Sequence, residues 1–134
     1  MRILFDQNLP HKLRTSLLDR SSHEISTAAY KGWSALKNGD LLRAAERDGF
    51  DVFVTGDTTL VLEQNLTSRR LAIVTLSTNN WPIIKDKVPE ILGAINLATP
   101  GSFVTVECGR FSRKGSDASA RVIGLEGLRV VGQR

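Results

Sequence analysis

Three aspartates stand where short apolar runs end or a helical one begins. Asp6 follows Ile3-Leu4-Phe5, Asp57 follows Val52-Phe53-Val54-Thr55-Gly56, and Asp40 opens Asn38-Gly39-Asp40-Leu41-Leu42. A carboxylate just past a buried strand sits at the sheet edge where α/β proteins bind ligands. Carboxylates gathered there repel one another unless a positive charge lies between them. A hard divalent cation such as Mg²⁺ or Mn²⁺, which takes oxygen ligands, meets that need. The chemistry to expect is metal-dependent attack of water on a phosphodiester, with a metal-bound water of lowered pKa and neutralised charge at phosphorus. Each acid also has a purely structural use. Asp6 can close a turn through backbone N–H groups, Asp40 is favoured by the dipole of a first helical turn, and Asp57 can cap the next helix.

The elements that must position these acids follow from apolar periodicity. Met1–Phe5 reads as a buried strand, and Pro10 fits the first turn of a helix carrying Leu13, Leu17 and Leu18 on one face. Glu24–Ala28 is a weaker strand. Residues 29–37 form a loop with exposed aromatics and lysines. Asn38 is an N-cap for a short amphipathic helix that Gly49 stops as a C′ residue. Asp51–Thr55 is a strand buried on both faces, a helix runs from Asp57 or Thr58 towards Leu66, and Leu71–Leu76 is the most apolar strand. Pro82–Ala98 reads as a helix broken near Val88-Pro89, because a residue before proline avoids the α region. Ser102–Cys108 alternates like an edge strand. Leu13, Leu17, Leu18, Ile73, Val74, Ile91 and Leu92 are expected in the core. This alternation of strand and helix predicts an α/β fold, a three-layer α/β/α sandwich with a mostly parallel central sheet. In such a sheet Asp6 and Asp57 reach one rim, the helix bearing Asp40 starts on it, and Asn8, Thr55 and Ser77 lie in the same neighbourhood.

A chain of 134 residues is one domain with room for a core. It has no apolar run of membrane-spanning length and no charged-then-apolar leader, so a cytoplasmic protein is expected. A single cysteine, Cys108, excludes a disulfide framework and a cysteine zinc site within one chain. The net charge of +4 is unevenly placed. Residues 1–109 are balanced, whereas Arg110, Arg113, Lys114, Arg121, Arg129 and Arg134 face only Asp117 and Glu126 in the remainder. A basic end on a neutral body is either a nucleic-acid contact, with Arg113 and Lys114 as candidates, or a solvated terminus.

At its acids the chain resembles the PIN-like nucleases, most closely the small VapC-like toxins of toxin–antitoxin pairs. The matching segments are Ile3-Leu4-Phe5-Asp6-Gln7-Asn8-Leu9-Pro10, Asn38-Gly39-Asp40-Leu41-Leu42, Val54-Thr55-Gly56-Asp57 and Ser77-Thr78-Asn79-Asn80-Trp81-Pro82. The resemblance spans residues 1–108 as a PIN-like domain and leaves 109–134 as a basic C-terminal extension. It implies a Mg²⁺- or Mn²⁺-dependent endoribonuclease, with Asp6, Asp40 and Asp57 as metal-binding catalytic acids. Asn8, Thr55, Ser77 and Asn79 would support them. A small antitoxin would be the partner, and relatives of this kind often pair as homodimers. Many relatives place a further acid two residues after the third. Here that position is Thr59, whose hydroxyl holds a cation far less well. A one-metal centre, or a catalytically silent protein that only binds nucleic acid or protein, is the alternative.

Tyr30, Lys31, Trp33 and Lys37 suit stacking on and neutralising a nucleic-acid strand, docking an antitoxin helix, or simple packing of the loop. A phosphoacceptor signalling domain also carries an acid after its third strand. It needs an acidic pair after the first strand and a lysine after the fifth. Here Asp6 stands without an acidic neighbour and no lysine follows Ser102–Cys108 before Lys114, which makes it the less favoured alternative.

Overall fold

A computed structural model describes residues 1–57 and 70–109, with Asn38 as backbone only. Five strands, β1 (Arg2–Phe5), β2 (Glu24–Thr27), β3 (Val52–Thr55), β4 (Ala72–Leu76) and β5 (Phe103–Val106), form one sheet in the order β2-β1-β3-β4-β5. Every neighbouring pair is parallel. The helices are α1 (His11–Arg20), α2 (Asn38–Arg47), α3 (Trp81–Ile84) and α4 (Val88–Asn96), with a 3₁₀ turn at Lys85–Lys87 between the last two. The helix expected after Asp57, Thr59 within it, and the basic extension with Arg113 and Lys114 lie outside the described residues.

Parallel pairing demands helices on both faces, and the strands are apolar enough to accept them. Every residue of β3 and β4 is buried. Register aligns Phe5, Val54, Val74 and Val104 in one row and Leu4, Phe53, Ile73 and Phe103 in the row below. Adjacent rows point to opposite faces. The first face packs with Leu13 and Leu17 of α1 and Ile91 and Ile95 of α4. The second packs with Leu41, Leu42 and Ala45 of α2. The result is the expected α/β/α arrangement. Each fully buried side chain of this size contributes about 1.5–3 kcal/mol of apolar transfer energy.

Three local expectations are corrected. Leu18 is 40% exposed and outside the core. It lies about 140° around the helix from Leu13, whereas Leu17 lies about 40° away. Helix α2 takes Asn38 as its first residue, with Lys37 in the N-cap position and no side-chain cap. The break before α4 falls at Lys87 (φ −114°, ψ 11°), while Val88 is itself helical despite preceding Pro89. The proline occupies the first turn, where its missing N–H breaks no helical bond, so the helix tolerates it there. Gly49 does stop α2 in the left-handed region, at φ +86°.

Candidate functional site

Strand order decides where a site can form. The chain leaves β1 towards β2 on one side, then crosses to β3 on the other, so the connections diverge above the carboxyl ends of β1 and β3. This is the topological switch point at which doubly wound sheets bind ligands. Asp6 is the first residue past β1 and continues its pairing, its N–H donating to Val54 O at 2.9 Å. Asp57 stands two residues past β3.

Thr55 joins them. Its hydroxyl donates to Asp6 Oδ2 at 2.6 Å and accepts the backbone N–H of Asp57 at 3.0 Å. Thr55 is fully buried, one of two buried polar residues among those described. The other, Thr75, is its register neighbour and shares a hydroxyl bond of 2.8 Å with Thr105. The remaining oxygen of Asp6, Oδ1, accepts the Gln7 N–H at 2.9 Å. Each carboxylate oxygen thus has one neutral donor and spare lone-pair capacity. Among the described residues, no ion pair engages Asp6.

The two acids line a cleft of about 260 Å³ together with Asn8, Asn79, Gln7 and Gly56 at its polar end. Ala28, Trp33, Leu36 and Leu41 line its apolar part, with Ser34. Gly56 is needed for the closeness of the walls. A Cβ there would lie 3.2 Å from Asn79 Cβ and 3.6 Å from Thr78 O. The loop after β4 can therefore press against the end of β3 and present Asn79.

The other candidates are placed elsewhere. Asp40 is in the first turn of α2, exposed, with its carboxylate paired to Arg43. It does not line the cleft, although its neighbour Leu41 does. Among the described residues, no three His, Cys, Asp or Glu gather as a metal-binding group. Ser77 turns to β5, its hydroxyl accepting the Cys108 N–H at 2.8 Å. Burial there pushes the Cys108 thiol pKa up to about 11. Tyr30 is 83% exposed. Lys37 is also exposed, at the head of α2.

Lys31 and Trp33 form an assembly that sequence reasoning only half found. Lys31 Nζ lies 2.9 Å from Asp48 Oδ2, beyond the far end of α2. It also sits 5.4 Å from the centre of the Trp33 ring and 5.9 Å from that of Phe50. Trp33 meets Phe50 edge-on, at 6.2 Å and 79°. Arg2 covers Phe50 at 4.4 Å and pairs with Asp48 as well. The Lys31 ammonium, with help from Arg2 and against some desolvation, holds the Asp48 carboxyl below its ordinary pKa of 3.8. Asp48 and Phe50 carried no warning in the sequence, because their partners are 17 residues or more away. Gln7 and Gly56 were readable only as neighbours of the acids.

The donor set fits a hard cation. It offers carboxylate and amide oxygens, with no thiolate or imidazole among the described residues that line the cleft. Mg²⁺ commonly keeps several waters and needs only one or two protein carboxylates. No protein-family model, curated protein or solved structure matches the chain.

Proposed function

We propose that the protein is a Mg²⁺- or Mn²⁺-dependent endoribonuclease of PIN-like type. The observation that carries this reading is the pair of acids at the β1/β3 switch point, joined through one buried threonine. Asp6 and Asp57 would hold the ion, which when bound supplies an activated water and neutralises charge on the phosphate. Thr55 fixes the Asp6 carboxylate by donating to Oδ2 and fixes the Asp57 backbone by accepting its N–H. Such outer hydrogen bonds set the orientation of metal-binding groups. Asn8 and Asn79 bring amide groups to the same end of the cleft and suit the phosphate oxygens. Asp40 becomes a third acid only by giving up Arg43, a change that an exposed pair on one helix resists weakly. A cytoplasmic toxin with a small antitoxin as its partner, and a homodimer, extend the same proposal.

The deciding assay is cleavage of single-stranded RNA by purified protein with and without Mg²⁺ or Mn²⁺. Metal-dependent cleavage that disappears in Asp6→Asn is expected. The pairing of Asp40 with Arg43 favours a second reading, a PIN-like protein that binds nucleic acid without cutting it. RNA binding with no cleavage under either metal would establish that reading and remove the first.

A further inference from the structure

We propose that the apolar part of the cleft is a nucleobase subsite, in which Trp33 stacks on the base next to the scissile phosphate. The inference rests on the phosphodiester reading and names what the rest of the cleft recognises. The cleft's lining divides by strand order: its acids and amides follow β1, β3 and β4, and Ala28, Trp33, Leu36 and Leu41 follow β2 at the side of the sheet. The first group suits a phosphate carrying a cation, and the second suits a flat, weakly polar group attached to it. A nucleotide has those two parts in covalent connection. Its base offers a π-face whatever its sequence, and aromatic side chains take such faces by stacking.

The indole is held before any ligand arrives. Its backbone N–H donates to Ala28 O at 2.9 Å, after a turn made through Gly32 at φ +80°. Phe50 meets it edge-on, and Lys31, pinned by Asp48, stands against the ring. Trp33 also packs on the core cluster formed by Leu4, Phe53 and α2. A ring already fixed loses little further freedom when a base joins it, so less of the contact energy is spent on ordering. Asp48 and Phe50 are positioning residues in this scheme, since they act through Lys31 and Trp33.

The test uses the full chain carrying Trp81→Phe, which leaves Trp33 as the sole tryptophan. The probe is a phosphorothioate-linked oligoadenylate in Ca²⁺, with a matching series bearing one abasic nucleotide at each position in turn. Binding should quench Trp33 fluorescence, and one abasic position should weaken it. Trp33→Ala should raise Kd roughly 5- to 150-fold, and Trp33→Phe should recover much of the loss. The abasic series needs no substitution at Trp33, so instability of Trp33→Ala cannot obscure the result. Failure of the oligomer to bind, binding without quenching, or equal affinity for every abasic oligomer overturns the subsite. RNA cleavage in Mg²⁺ alongside a silent Trp33 would sink the subsite and keep the nuclease. Base-dependent quenching without cleavage would do the reverse.

Discussion

The two rims of the sheet treat carboxylates differently. At the amino-terminal rim Asp51 Oδ2 accepts the Arg2 N–H at 2.8 Å. Glu46 Oε2 accepts the N–H groups of Arg70 and Leu71 at 2.7 and 3.0 Å, and Asp48 is shared by Lys31 and Arg2. These acids tie strand starts and loops to their neighbours. At the carboxyl-terminal rim Asp6, like Asp51 and Glu46, accepts from neutral donors among the described residues, but it shares a cleft with Asp57. What separates the two edges is the company each acid keeps: Asp6 lines a cleft with a second acid, Asp57, whereas Asp48 is held by two cationic side chains. Acidity alone does not distinguish them.

Removing one acid from each rim gives the largest expected contrast. Asp6→Asn should lower metal-dependent RNA cleavage by roughly 100-fold or more, beyond the loss typical of an outer-shell change. Asp51→Ala should leave cleavage unchanged and cost about 0.5–1.5 kcal/mol in denaturant unfolding. Equal activity in the two variants would erase the contrast. Thr55→Val comes next. It keeps the shape of the side chain and strips the hydroxyl from between the two acids. The apparent metal affinity in a cleavage titration should fall roughly 10- to 100-fold, and stability should fall by about 1–3 kcal/mol, because the Asp57 N–H loses its buried acceptor. A loss of stability with unchanged metal dependence would reduce Thr55 to a structural role.

The smallest effect belongs to the stitched rim. Asp48 has a depressed folded pKa, so its contribution is complete above the ordinary value of 3.8 and fades as pH falls towards the folded value. Acidification below about pH 4 should loosen the Lys31 tie, visible as a change in Trp33 emission in the Trp81→Phe protein before global unfolding. The same change in Asp48→Asn at neutral pH, with no further response to acid, would confirm Asp48 as the titrating group. An unaltered acid response in that variant would assign the transition elsewhere.

What the sequence discloses about this molecule divides by range. The runs ending in Asp6 and Asp57 are legible because a strand buried on both faces needs an unbroken apolar segment, and Ile3–Phe5 of β1 and Val52–Val54 of β3 supply one. Gly49 is legible because only glycine enters the left-handed region without strain. Leu18 misleads because one leucine too many fits a loose helical stripe. Asp40 sits at the helix start as expected, yet the direction of its carboxylate depends on Arg43, three residues on, and a first-turn acid has several uses. The Lys31–Asp48 tie and the approach of Asn79 to Gly56 join segments remote in sequence, and no local pattern announces them.

The bond from Thr55 to Asp6 spans 49 residues, and it gives the cleft a time of birth. Strand β3 enters the sheet between β1 and β4, so the middle of the sheet is made third. On a ribosome adding roughly 5–20 residues per second, Asp6 waits several seconds before Thr55 even exists. Until β3 slots in, the first acid has no partner across the rim, and the emerging chain has no assembled cleft.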